Sequence, residues 1–309
     1  MRVIDVPPWL LRTFAVAFGL ALGSFLNVVI ARVPRNESVA HPPSHCVCGR
    51  PIAPRDNVPI VSWLLLRGRA RCCGAAISAR YPLVEAIGGL LTWAIIEVFV
   101  LGAPPEAPLV ETLARAIAEV GLSLALVAAA FIDLDHMILP NEITIGGAIF
   151  ALATSGLRPE IGWKEALLGL VVGFWGLYLP FVVGWRVLRG KQGMGAGDAK
   201  LAALFGAWFG WTGVLFTLFA ASIQGTIVAL GIFVARGKIE EPKAVVEERE
   251  AAAAAGTPLD EDDPVALPPT GGLGGARISF GPFLILAALE YLFFGRLLVQ
   301  RGLAFLVEP

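Results

Sequence analysis

Charged residues are scarce in this chain: only 16% of its 309 residues are Asp, Glu, Lys or Arg, against about 25% in an average soluble domain. That shortage, with a hydrophobic share of 56% and a mean hydropathy of +0.73, excludes most soluble enzymes. Net charge is small as well, −1 at pH 7, so no global field draws nucleic acid to the surface and no nucleic-acid partner is expected. Cysteine is limited to four residues, all between Cys46 and Cys73. So tight a grouping argues for one local site rather than a disulfide scaffold. There is no glycine-rich strand–turn–helix fingerprint for a nucleotide-like cofactor, and no repeat of 20–50 residues is evident. What the chain has instead is long apolar runs.

A membrane-crossing helix needs about 20 apolar residues. Eight runs are candidates: 14–31, 83–102, 113–134, 142–157, 164–187, 199–211, 213–235 and 279–298. The fourth and sixth are short. The expected fold is therefore an all-α polytopic integral membrane protein with about eight transmembrane helices, the lipid bilayer being its first partner. The opening run is too long and too poorly flanked for a cleaved signal peptide, and residues 1–31 read as a retained anchor. Eight arginines lie between Arg32 and Arg80, and Arg189 and Lys191 sit in the 188–198 loop. The 103–112 loop has no basic residue and 158–163 has only Arg158. The positive-inside rule then puts residues 32–82 in the cytoplasm, as a small Cys-rich loop domain, and the N-terminus outside. Arg296 and Arg301 fall on the outer side, against this trend. Residues 83–236 form the membrane core and 278–309 the last span and C-terminus. Between them, 237–277 hold nine acidic residues, five prolines and a Gly-Gly-Leu-Gly-Gly stretch. That composition buries too little apolar surface to fold, so a disordered cytoplasmic insertion is expected.

Two acidic motifs stand at the ends of candidate spans. Asp133 and Asp135 close the third, and Asp198 opens the sixth within Gly195-Ala-Gly197-Asp198. Two spans separate Asp133 from Asp198, and an even number of crossings returns the chain to the same face, here the cytoplasmic edge. That parity holds only if 142–157 crosses. Ionisable groups at membrane depth are costly and are functional candidates by default. Two carboxylates a few ångströms apart cannot both ionise; one keeps a proton, and such a pair activates water against a peptide carbonyl. Gly195 and Gly197 lack Cβ atoms and permit a tight turn and close approach of an extended substrate. Each acid taken singly also reads as an interfacial anchor, and Asp198 as a helix cap.

The ordered motifs resemble those of bacterial prepilin peptidases, the leader peptidases and N-methyltransferases of the Gly-x-Gly-Asp aspartic protease class. The similarity begins over Gly23–Pro34 and continues through Asp56–Gly68 and Ile77-Ser-Ala-Arg-Tyr-Pro-Leu-Val-Glu85. It then takes in Asp133-x6-Pro140-Asn141, Gly195-x-Gly197-Asp198 and Phe280-Gly-Pro282. The resemblance implies an enzyme that cuts the basic leader from type IV prepilins and type II secretion pseudopilins, on the cytoplasmic side of the inner membrane. It also implies methylation of the new N-terminal residue with S-adenosylmethionine. Asp133 and Asp198 take the places of the two catalytic aspartates, with Asp135, Gly195, Gly197, Pro140 and Asn141 in support. No residue is assigned to methyl transfer. The rival from another class is a proton- or cation-coupled transporter that uses the same aspartates as carriers.

Cys46, Cys48, Cys72 and Cys73 are candidate ligands of a structural zinc, since four converging thiolates make a closed tetrahedral site. The family usually shows two Cys-x-x-Cys pairs. Here the first pair is Cys-x-Cys and the second Cys-Cys, with Ala70 at the expected third cysteine. Adjacent cysteines tend to diverge, and His41 or His45 is near enough to substitute. Reduced structural thiols or a redox-labile pair are the alternatives; a cytosolic face disfavours stable disulfides.

Overall fold

A computed structural model of the chain describes residues 1–190, 193–237, 243–255 and 278–295. These are mainly helical, and among them no strand forms beyond the isolated bridges Arg2–Pro108, His45–Pro51 and Arg69–Ala76. The chain folds as two units, Met1–Ala128 and a second that begins at Ala129.

In the first unit α1 (Pro8–Arg32) opens on a proline, whose missing N–H costs nothing at that position. The loop that follows carries the short α2 (Val61–Leu65) and leads into α3 (Arg80–Ile95), which ends in wider π turns over Ile96–Leu101. Helix α4 (Leu109–His136) begins here and continues into the second unit. Helices α1 and α3 meet through glycine. A Cβ on Gly19 would lie 2.6 Å from the Gly88 carbonyl oxygen, and one on Gly88 2.7 Å from that of Gly19. In lipid, close backbone approach of this kind supplies the packing that holds helices together. At the other end of the pair, Arg12 donates to Glu97 from Nε (2.5 Å) and Nη2 (3.0 Å).

The second unit contains α5 (Asn141–Ala153), α6 (Gly162–Leu177), α7 (Trp185–Arg189), α8 (Ala196–Arg236), α9 (Lys243–Ala255) and α10 (Gly281–Glu290). Helices α5, α6 and α10 all pack on α8. Residues 201–210 of α8 are buried on every face, which is how a helix that is apolar all round behaves in the middle of a bundle. Farther along, Phe219, Ile227 and Val234 are exposed, as lipid-facing positions are. Gly169 and Gly206 bring α6 and α8 into backbone contact that a side chain at either position would block.

Five helices are long and apolar enough to cross a membrane, and Asn141–Ala153 and Gly281–Gly295 are shorter. The expected count of eight separate spans is thus not confirmed. The sixth and seventh expected spans fall within Ala196–Arg236, on either side of a non-helical break at Gly210 (φ 76, ψ 178). A glycine with positive φ ends one helix and turns the chain into the next without a polar loop. Helix α5, with 13 residues, is about 20 Å long, short against the roughly 30 Å hydrocarbon layer. In the 237–277 segment, expected to lack structure, Lys243–Ala255 is helical. Its alanines and glutamates are strong helix formers. Residues 238–242 and 256–277, like the end of the last expected span, lie outside the described residues.

Arg158 is used structurally. It is 2% exposed, and its guanidinium lies 4.2 Å from the Trp208 ring centroid. Nη1 donates to the Trp208 carbonyl (2.5 Å) and reaches that of Ala207 (3.4 Å), while Nη2 donates to the Ala151 carbonyl. A helix broken at Gly210 deprives the carbonyls of the preceding turn of their usual donors, and Arg158 replaces them. Arg158→Met leaves these carbonyls buried without donors and is expected to cost about 2–5 kcal/mol. Thermal unfolding in detergent measures this as a clear fall in Tm; an unchanged Tm would contradict the role.

Candidate active site

Asp133 lies in the last turn of α4 and is 5% exposed. Its carboxylate accepts hydrogen bonds from the Ser279 hydroxyl and from the Gly281 backbone N–H. A carboxylate removed from water needs such donors. The chain leaves α4 through Met137 at φ 56, with the Met137 N–H donating to the Asp133 carbonyl at 2.9 Å. That left-handed residue stops the helix one turn beyond the acid.

Asp198 sits in the first turn of α8 and is half-buried. Gly195 stands just before the helix in extended backbone (φ −64, ψ 140), its carbonyl accepting from the Asp198 N–H at 3.2 Å. A side chain at Gly195 would begin 3.8 Å from Asp198 Oδ2. The carboxylates of Asp198 and Asp133 interact electrostatically, and Leu139 fills the space between their segments. A Cβ at Gly197 would lie 3.3 Å from Leu139 Cβ, and one at Gly281 3.3 Å from Leu139 Cδ2. Gly281 also lies directly against Asp133 Oδ2, with no room for a side chain.

The other expected supporting residues are distributed around this pair. Pro140 is buried and precedes α5, its carbonyl accepting from the Thr144 N–H at 3.0 Å. Asn141 Oδ1 accepts from Lys200 Nζ at 2.8 Å, which ties the start of α5 to the first turns of α8. Asp135 is half-buried; residues two apart on a helix do not share a face, so it is turned away from Asp133. Ser279, Leu139 and Lys200 were not foreseen. The Phe280-Gly281-Pro282 element pointed to the right place, but its sequence carries no sign that Gly281 faces a carboxylate.

The four cysteines come together in the first unit. Each pair sits on a tight turn closed by a left-handed glycine, Gly49 (φ 81) or Gly74 (φ 72). The Cys46 N–H donates to the Arg50 carbonyl at 2.8 Å, and the Ala70 N–H to that of Ala75 at 2.8 Å. Cys46 and Cys73 Sγ are 3.5 Å apart, Cys48 and Cys72 3.4 Å, and all four sulfurs lie within 4.8 Å of one another. A tetrahedral zinc at about 2.3 Å from each sulfur needs separations of about 3.8 Å, so the donor set fits a metal. The turns aim even the adjacent pair at one point, and neither His41 nor His45 joins the cluster. Hydrogen bonding from the Cys48 backbone, then from Cys72 and Cys73, lowers the Cys46 thiol to about 7. Cys72, hydrogen-bonded to Cys46 and Cys48, is pushed up to about 12.

Fold and site together define a polytopic membrane protein with an interacting aspartate pair at helix ends and a compact tetracysteine loop. The chain belongs to the type IV leader peptidase family. The model of that family matches residues 120–230, and that of the bacterial peptidase A24 N-terminal domain matches 17–99. A prepilin leader peptidase/N-methyltransferase of Myxococcus xanthus (strain DK1622) is 42% identical over 230 residues, which cover 74% of this chain and 65% of that protein. One of Aeromonas hydrophila is 38% identical over 261 residues (74% and 83%), and one of Klebsiella pneumoniae 40% over 226 (70% and 92%). No solved structure matches the chain.

Substituting Gly281→Ala drives a methyl group into the Asp133 carboxylate. Peptide-bond cleavage is expected to fall at least 100-fold while the protein remains folded and inserted. Steady-state kinetics on the purified variant check this, and near-normal kcat would show that Asp133 does not depend on that backbone contact.

Proposed function

We propose that this chain is a membrane-embedded aspartic endopeptidase. It removes the leader of type IV prepilins and type II secretion pseudopilins at the cytoplasmic face of the bacterial inner membrane, and it methylates the new N-terminal residue. The single observation that carries the reading is the convergence of Asp133 and Asp198 around Leu139, within a chain whose relatives bear the name prepilin leader peptidase/N-methyltransferase. The arginine excess in residues 32–82 supports the cytoplasmic orientation. The substrate fits this placement: a pilin signal helix enters the bilayer with its charged leader left inside, so its scissile bond lies at the interface.

In the reaction, the charged member of the pair takes a proton from water, whose oxygen attacks the scissile carbonyl. The neutral member donates its proton to the carbonyl oxygen. The Ser279 hydroxyl and the Gly281 N–H hold Asp133 in one orientation throughout, which is the positioning such chemistry requires. Transport through the same acids is less well supported, because carriers place them near the bilayer midplane between broken helices of inverted repeats, and these two close and open helices.

The cysteine turns would hold zinc as a structural clasp, with Cys46, Cys48, Cys72 and Cys73 as its ligands. S-adenosylmethionine supplies the methyl group when bound.

Two outcomes test the reading. Asp133→Asn and Asp198→Asn each abolish release of the leader from a purified prepilin, scored by product mass, with insertion and thermal stability retained; normal processing by either rejects the pair. Purified protein carries about one zinc per chain near pH 7.5. Because ligation needs thiolates, zinc is lost as pH falls and protons compete. Elemental analysis finding less than half an equivalent without prior chelation, or zinc retained by Cys72→Ser, counts against the clasp.

A further inference from the structure

Helix α2 (Val61–Leu65) presents two unlike faces. Ser62 is buried, and with Ile60, Trp63 and Leu66 it lines a cavity of about 890 Å³ in the first unit. That face is tied inward. The Ser62 hydroxyl accepts the Val58 N–H at 2.9 Å and donates to the Arg55 carbonyl at 3.0 Å. The Trp63 indole donates to the Ile77 carbonyl at 3.0 Å. Val61, Leu64 and Leu65 stand at i, i+3 and i+4, which is one stripe of a helix surface, and they take no part in the cavity wall. Leu64 is 61% exposed and Leu65 77%.

This stripe is held at the depth of the bilayer. The Ile60 N–H donates to Glu85 Oε2 at 2.7 Å, and Glu85 lies five residues into α3. A Cβ on Gly23 would lie 2.7 Å from Glu85 Cα, so the same level falls nine residues before α1 ends at Arg32. The apolar span that begins with α3, Arg80–Leu101, has 22 residues and is about 33 Å long, a match to the roughly 30 Å hydrocarbon layer. Its start therefore lies at the boundary, with Glu85 about 8 Å inside. Helices that lie in a membrane surface sink their apolar faces by about 5–10 Å. Ile60 enters α2 at φ 61, ψ −50, an outlier for a β-branched residue; such strain persists only where the surrounding structure enforces it, and the Glu85 carboxylate does so here.

We infer that α2 is an interfacial helix: Val61, Leu64 and Leu65 enter the acyl chains of the leaflet beside α3, and the flanking arginines bind anionic phospholipid headgroups. Arg55, Arg67 and Arg69 are exposed. The one acid between residues 54 and 71, Asp56, is already gripped by Arg71 from Nε (3.0 Å) and Nη2 (2.9 Å), so the positive charge of the flanks is left for the membrane surface. A free phosphate would satisfy the arginines but leave the stripe in water; a phospholipid supplies both the anion and the chains. In the orientation proposed above this is the inner leaflet. The inference goes beyond the proposed function and uses neither activity.

The test places the fluorescent amino acid acridonylalanine at Leu65 in the full-length protein, reconstituted in vesicles of phosphatidylcholine and phosphatidylglycerol. Lipids with a nitroxide on the acyl chain are expected to quench the probe at least threefold more than aqueous iodide does. Stronger quenching by iodide puts the stripe in water, and protection from both quenchers puts protein over it; either result overturns the inference. At equal mole fraction, nitroxide-labelled phosphatidylglycerol is expected to quench at least twofold more than labelled phosphatidylcholine, and Arg67→Gln with Arg69→Gln removes the difference. Equal quenching by the two lipids around the wild-type arginines overturns the headgroup contact. Leader cleavage is scored on the same vesicles, so failure of the lipid contact and failure of the peptidase reading are seen separately.

Discussion

A carboxylate placed inside a membrane bundle must find hydrogen-bond donors there, or it destabilises the fold that holds it. Asp133 meets that demand with donors from a segment far along the chain, the Ser279 hydroxyl and the Gly281 backbone. This requirement brings the start of α10 against the end of α4. The same contact then limits what residue 281 can be, since any side chain would displace the carboxylate. Leu139 takes up the room left by Gly281 and Gly197, so the absence of two side chains lets the segments that carry the two acids pack on one residue.

The rest of the second unit supports that arrangement. The buried first half of α8 carries Asp198 at its start and is clasped by α5, α6 and α10. Backbone contact at Gly169 and Gly206 fixes α6 against it. Arg158 secures the break at Gly210, which lets one helical run change direction inside an apolar environment. The first unit solves a different problem. A loop too short for a hydrophobic core is closed by two cysteine turns and leaves a walled cavity between α1 and α3.

Some of this was legible before any coordinates. Asp133, Asp198 and the four cysteines stood out because polar or metal-binding residues are rare in so apolar a chain, and their spacing carried a chemical meaning. Ser279 did not, since a serine before a helix is commonplace and its partner lies 146 positions away. Arg158 read as a lone loop charge because sequence does not reveal that a kink elsewhere has freed carbonyls for it. The break at Gly210, by contrast, falls within two residues of the expected boundary between the runs 199–211 and 213–235. Averaging over residues 237–277 hid the alanine- and glutamate-rich stretch at Lys243–Ala255 that forms a helix.

The central claim is that Asp133 and Asp198 act together on a tetrahedral centre. Affinity for a prepilin-junction peptide whose scissile amide is replaced by a hydroxyl-bearing isostere tests it most directly. A site built for the tetrahedral species binds such an analogue at least about 100-fold more tightly than the uncleaved peptide, and either single Asp→Asn change removes the advantage. Equal affinity for the two peptides, or an advantage that survives Asp198→Asn, would contradict the account.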